Sequence, residues 1–215
     1  MTNIAIFDLD GTIVDSAPGI VETLKTTLHH FRLLDHYNYS TTDLGLPLPV
    51  LLRRYFQSNP HSYLDALDMF ASLYDTCGYK QSFLYPGIVE LLEYLRSVNY
   101  TLVILTNKRE LPTNRILNKC DLSLFFDHVL CTPSSPFSHC DKGSILLKLK
   151  TTILTDGKHM FYAGDMLSDL ISARRSLVKF YYAKWGYGNI PNTTLLKTGS
   201  YAVANPKDLL PYIMY

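Results

Sequence analysis

The chain has 215 residues, 47% of them apolar, and a net charge of +1. That length fits one large domain, or one medium domain carrying a small insertion, and the apolar share is enough for a sizeable core. Near-neutral charge with no run of Lys and Arg gives no electrostatic case for a nucleic acid or an anionic membrane as partner, and no apolar stretch approaches a bilayer span. Met1 to Phe7 carries no signal-peptide pattern, so a cytoplasmic protein is expected. The four cysteines, Cys77, Cys120, Cys131 and Cys140, form no CxxC pair, which argues against zinc and for reduced, mostly buried thiols.

Ile4-Ala5-Ile6-Phe7 is a short continuous apolar run, as expected of a strand buried on both faces of a parallel sheet. It stops at Asp8-Leu9-Asp10-Gly11-Thr12. Ser16, with Pro18 two residues on, makes a helix start, and Ile20, Val21, Leu24, Leu28 and Phe31 follow at helical spacing. From Ser40 to Ser82 the pattern predicts amphipathic helices through Leu48–Phe56 and Tyr63–Tyr74, with no strand signal. After Pro86-Gly87 helices and strands alternate. Ile88–Ser97 reads as helix, Thr101–Leu105 as strand, Leu111–Cys120 as helix and His128–Cys131 as strand. Lys142–Lys150 is helical, Met160–Ala163 a strand, Ser168–Leu177 a helix, and Lys179–Ala183 and Tyr201–Val203 are strands. Alternation of this kind predicts an α/β fold: a doubly wound parallel sheet, Rossmann-like, with an inserted all-helical cap. The expected core is 1–14 and 85–215, and the expected cap 15–84.

Ligands of open α/β sheets bind beyond the carboxyl ends of the strands. The residues following the strands are Asp8 and Asp10; Thr106, Asn107 and Lys108; and Gly164, Asp165 and Asp169; Lys142 opens the helix after the third strand. Clustered carboxylates repel one another unless a cation neutralises them, and oxygen donors without His or Cys select a hard ion such as Mg2+. Carboxylates, a metal, a hydroxyl and a lysine together suit phosphoryl transfer, and aspartate is a competent nucleophile for it. Spacing alone does not decide which of Asp8 and Asp10 is the nucleophile. Thr106-Asn107 is also compatible with a helix cap, Lys142 with a solvated lysine, and Trp185 with packing. His29 and His30 are expected at a helix surface, and Arg53 or Arg54 is a candidate contact for an anionic part of a substrate.

The segment Ile4–Ser16 resembles the first motif of the haloacid-dehalogenase-like phosphatases. Leu105-Thr106-Asn107-Lys108 resembles the second, Lys142 stands in place of the third-motif lysine, and Gly164-Asp165-Met166-Leu167-Ser168-Asp169 resembles the fourth. Trp185-Gly186-Tyr187-Gly188 is similar to the phosphoglycolate-phosphatase-like subgroup. The resemblance implies a Mg2+-dependent phosphatase acting on a small phosphorylated metabolite through an aspartyl phosphate. It implies Asp8 as nucleophile, and Asp10 as general acid/base with its backbone carbonyl on the metal. Thr106, Asn107 and Lys142 would bind the phosphoryl group, Asp8, Asp10 and Asp165 the metal, and Asp169 would help directly or through water. Cys140-Asp141-Lys142-Gly143 lacks the Lys-Pro pairing frequent in that subgroup, which leaves Lys108 as the other candidate lysine. A phosphosugar mutase and a receiver-type phospho-accepting module share parts of this pattern.

Overall fold

The protein is described by a computed structural model covering residues 3–38, 40–57, 60–132, 141–153 and 159–213. Six strands form one parallel sheet: β1 (Asn3–Phe7), β4 (Tyr100–Thr106), β5 (His128–Cys131), β6 (Met160–Gly164), β7 (Lys179–Ala183) and β8 (Tyr201–Val203), in the order β5-β4-β1-β6-β7-β8. Ile4 pairs with Thr101 on one side and Met160 on the other. The chain winds outward from β1 in both directions, so the carboxyl ends of β1, β4 and β6 meet where the order reverses.

The continuous apolar runs are explained by burial on both faces. Ala5 and Phe7, with Leu102, Ile104, Phe161 and Ala163, face α4 (Ile88–Ser97) and α5 (Glu110–Lys119). Ile4 and Ile6, with Val103, Leu105 and Tyr162, face α6 (Lys142–Ile153) and α7 (Leu167–Arg175). The period of two sends alternate residues of one strand into two separate cores. Two short helices, α8 (Asn192–Thr198) and α9 (Leu210–Ile213), complete the C-terminal side; neither is signalled by the sequence pattern.

Two strands of two residues each, β2 (Val14–Asp15) and β3 (Phe83–Leu84), pair antiparallel as a separate ribbon. Between them the described residues hold helices only: α1 (Ala17–His30), α2 (Leu48–Arg53), α3 (Ser62–Thr76) and short 3-10 turns. Leu24, Leu28, Leu51, Leu52, Phe56 and Phe70 close a third core of their own. His29 and His30 are exposed on α1, as expected. The cysteines depart from expectation: Cys131 is buried, Cys120 half-buried and Cys77 exposed, while Cys140 lies outside the described residues. Among the described residues no helix is long and apolar enough to cross a membrane.

Leu102 is fully enclosed in the centre of β4. Leu102→Ala removes its methyl groups from a close-packed core, so a loss of about 2–5 kcal/mol is expected. Urea denaturation checks this as a lowered midpoint with unchanged slope; an unshifted midpoint contradicts the described packing.

Candidate active site

Asp8 follows β1 directly. Its backbone N–H donates to the Ala163 carbonyl at 2.9 Å, extending the β1–β6 ladder by one residue and locking the side chain at the sheet edge. One carboxylate oxygen accepts from the Leu9 N–H at 2.8 Å and lies 3.0 Å from Lys142 Nζ. Asp165 follows β6 and Asp169 lies one turn into α7, both fully buried. Asp8, Asp165 and Asp169 each present a carboxylate oxygen within 4.8 Å of the other two.

The local bonds holding these groups are specific. Asp165 accepts from Thr12 Oγ1 at 3.3 Å, from the Tyr187 N–H at 2.8 Å and from the Gly188 N–H at 3.3 Å. Asp169 accepts from the Met166 N–H at 3.0 Å, closing the first turn of α7, and from Lys142 Nζ at 2.8 Å and the Tyr162 hydroxyl at 2.7 Å. The approach of the Trp185–Gly188 turn to Asp165 requires missing side chains. A Cβ on Gly188 would run into the Asp165 carbonyl oxygen, and one on Gly186 into the Asp165 side chain and the Gly11 carbonyl. Trp185 is a packing residue with a polar anchor, its indole N–H donating to the Thr12 carbonyl at 3.0 Å.

Three carboxylates and the single ammonium of Lys142 leave two formal negative charges in a buried volume. Burial raises the Asp8 carboxyl, Lys142 opposes that rise, and Asp169 and Asp10 add to it. Burial also raises Asp165, with Asp169 and Asp8 contributing. Burial works against the charge on Lys142, but Asp169 and Asp8 outweigh it and hold the group above the ordinary lysine value. A divalent, hard cation with oxygen preference fits both the deficit and the donor set.

Asp10 is not part of that cluster. Its carboxylate accepts from Lys108 Nζ at 2.9 and 3.1 Å and from the Ser16 hydroxyl. Ser16 therefore stands at the start of α1 without its side chain accepting a capping bond; its hydroxyl donates to Asp10 instead. Lys108 is buried beneath Tyr74 of α3, with Nζ 4.5 Å from the ring centre. Thr106, at the end of β4, accepts from the Lys108 N–H at 3.1 Å through Oγ1, and α5 begins only at Glu110, so Thr106 and Asn107 are not its cap. Asn107 accepts from Thr132 Oγ1 at 3.1 Å. Both candidate lysines thus reach the site, Lys142 on Asp8 and Lys108 on Asp10.

A pocket of about 470 Å³ opens between this edge and the helices of the insertion; Asp8, Asp10, Thr106, Asn107, Lys108 and Arg109 form its polar floor. Arg53 and Arg54 do not reach it. Arg53 stacks on Tyr63 at 5.6 Å and Arg54 pairs with Asp43, so the expected anion contact is absent. The sequence alone gives no role in the site to four participants: Thr12 and Tyr187, which stand within the quoted motifs, Ser16, which reads as a helix start, and Tyr162. The Tyr187 hydroxyl donates to Asp15 at 3.0 Å and accepts from the Ser16 N–H at 2.7 Å and the Ala17 N–H at 3.0 Å, while its own N–H holds Asp165. One residue thereby joins the acidic cluster to the start of the insertion.

Comparison with known proteins agrees with this geometry. Residues 5–183 match the family described as haloacid dehalogenase-like hydrolase. A phosphoglycolate phosphatase of Agrobacterium fabrum is 30% identical over 201 residues, 91% of this chain and 86% of that protein. A tyrosine-protein kinase of Mycobacterium tuberculosis is 28% identical over 186 residues, 86% of this chain and 63% of that one. A haloacid dehalogenase-like family hydrolase from Streptococcus pneumoniae superposes with a TM-score of 0.80 at 26% identity over 99% of both chains. The chain belongs to the haloacid dehalogenase-like hydrolases. Within that family it falls with the phosphoric monoester hydrolases.

A divalent cation bound among Asp8, Asp165 and Asp169 should stabilise the fold. At 100 times its Kd the gain is about 2.7 kcal/mol, a Tm rise of about 5–10 °C for a chain of this size. Asp165→Asn keeps one acceptor oxygen for the Tyr187 and Gly188 N–H groups, turns an amide N–H toward the Thr12 hydroxyl, which can accept it, and removes one charge from the cluster. It is expected to leave the metal-free Tm unchanged or higher and to abolish most of the Mg2+ shift. Thermal melts with EDTA and with Mg2+ check this; an equal Mg2+ shift in the variant contradicts it.

Proposed function

We propose that this chain is a Mg2+-dependent phosphatase that hydrolyses a small phosphate monoester, phosphoglycolate-like or another phosphorylated metabolite of the cytoplasm, through an aspartyl phosphate on Asp8. The observation that carries this reading is the placement of Asp8. It lies at the floor of the pocket, held by Leu9 and Lys142, with Asp10 beside it on the same floor and two further carboxylates behind it.

In this reading an Asp8 oxygen attacks phosphorus in line with the ester oxygen. Asp10, oriented by Lys108 and Ser16, gives a proton to the departing alkoxide. It then takes a proton from the water that attacks the aspartyl phosphate, freeing Asp8 and inorganic phosphate. Thr106 Oγ1, Asn107 and Lys142 bind the phosphoryl oxygens. Asp8, the backbone carbonyl of Asp10 and Asp165 hold the metal, with Asp169 contributing directly or through water. Bound there, Mg2+ supplies the charge that offsets repulsion between the carboxylates and the phosphate dianion. Residues 1–14 and 85–215 act as the catalytic core and 15–84 as the cap, the β2–β3 ribbon marking both crossings. A closed cap excludes water during transfer. A mutase would need the cap to hold a second phosphate, and the insertion offers the pocket apolar side chains and Asp68 instead. A receiver module has no use for a covering insertion.

The test is turnover of p-nitrophenyl phosphate with Mg2+, its loss in EDTA, and acid-quench labelling with a radioactive phosphate ester. Asp8→Asn should abolish both turnover and label. Asp10→Asn should lower turnover by about 10²–10⁴-fold, less for p-nitrophenyl phosphate than for an alkyl phosphate, because a good leaving group needs less protonation. Full activity in chelator, or label on Asp10, overturns the assignment. Transfer of phosphate from a nucleotide to a tyrosyl peptide, without ester hydrolysis, would favour the kinase-like relative instead.

A further inference from the structure

The acidic floor accounts for the phosphoryl group; the rest of the pocket says what the phosphoryl group is attached to. Its far wall comes from the insertion and is apolar, with Leu44, Leu48, Leu51, Leu67 and Phe70 among the lining residues. Two cations line the pocket, and each already has a carboxylate partner. Lys108 Nζ is bonded to both oxygens of Asp10. Arg109 makes a two-pronged pair with Asp75 of α3, at 2.9 and 2.6 Å, and its guanidinium also reaches the Ala71 carbonyl at 3.4 Å. The remaining charge on the wall is Asp68, which has no ion pair among the described residues. Among the described residues the Tyr74 hydroxyl, which has no hydrogen-bond partner, is the one polar side-chain donor the wall offers an anion; no unpaired cation stands there, and Asp68 repels one.

We propose that the pocket selects phosphate monoesters whose leaving alcohol is uncharged and largely apolar, and that it discriminates against alcohols carrying a carboxylate. This rests on the phosphatase reading above and narrows it away from phosphoglycolate. A ligand carboxylate would leave water to meet leucine side chains and a like charge, and an unpaired buried charge is strongly unfavourable. An apolar body would gain from the same surface in proportion to the area it covers. The volume points the same way: about 470 Å³ falls in the range of pockets, about 300–1,000 Å³, that enclose drug-sized ligands, and a two-carbon alcohol leaves most of it unfilled.

The experiment compares kcat/KM for 4-methylbenzyl phosphate, 4-carboxybenzyl phosphate and 2-phosphoglycolate on the purified chain with Mg2+. The two benzyl esters react at the same CH2–O–P group and differ only at the far end of the ring. The methyl compound is expected to be favoured at least 10-fold over both carboxylates, a difference carried mainly by KM. Asp68→Asn, an exposed substitution that leaves the cores intact, should narrow that ratio several-fold; Leu67→Lys, which places a cation on the wall, should narrow it further. Equal or reversed preference in the wild type overturns the proposal, as does phosphoglycolate being the better substrate. A ratio unchanged in both variants overturns the part assigned to the wall. p-Nitrophenyl phosphate is run in parallel. If it is turned over and the preference is absent, this proposal alone falls; if no ester is turned over, the phosphatase reading falls and takes this one with it.

Discussion

Three carboxylates and one ammonium share a buried volume at the carboxyl edge of β1 and β6, and the surrounding construction follows from the cost of that imbalance. Two of the three carboxylates are engaged at both oxygens, Asp165 by one hydroxyl and two backbone amides and Asp169 by a helix-start amide, a phenol and Lys142, while Asp8 is held at one oxygen by the Leu9 N–H and Lys142. Such bonds replace water's solvation of the charge only in part, which is why Asp8 and Asp165 hold their protons more tightly than ordinary aspartates. The glycines at 186 and 188 serve the same requirement, since only bare backbone lets the turn donate its amides so close to Asp165. Local stability is given up at a point where charge is useful, a pattern expected of catalytic sites.

A second set of contacts joins the insertion to the sheet without using the acidic cluster's own bonds. Arg109 leaves the end of β4 to pair with Asp75 on α3, and Arg115 donates to the Asp75 carbonyl. Lys119 donates to the Ser82 carbonyl at 2.9 Å, beside the ribbon. Tyr187 performs the equivalent task on the opposite side, at Asp15, Ser16 and Ala17. The floor and the wall of the pocket come from different core clusters that meet at Tyr187, whose ring packs in the insertion's core while its N–H holds Asp165.

Much of this was legible in the sequence because β1, β4 and β6 are buried on both faces and so read as continuous apolar runs ending in polar residues. The helical insertion was legible from the spacing of Leu48–Phe56 and Tyr63–Tyr74. The residues that escaped are those whose role depends on partners distant in sequence. Tyr162 looks like any aromatic strand residue until α6 and α7 bring Lys142 and Asp169 to its hydroxyl. Tyr187 gives no local sign that its hydroxyl reaches Asp15, 172 positions away. Ser16 misleads because its side chain has two possible uses, helix cap or partner of Asp10, and only the fold shows which one prevails. Arg53 and Arg54 mislead because helical periodicity places them on a helix without saying which way the helix turns relative to the site.

The central position of β1 also orders events during synthesis. Its neighbour on one side is residues 160–163 of β6, so the Asp8–Ala163 bond cannot form until more than 150 further residues have left the ribosome. Until then a strand that is apolar on both faces has an unpaired edge, a state prone to wrong pairing. The helices between β2 and β3, with a core of local contacts, can fold during that interval, because short-range contacts carry a smaller loop-closure penalty. The nascent chain would thus carry a folded helical unit beside an unpaired strand, and Asp8 would be kept apart from Asp165 and Asp169 until the sheet is closed.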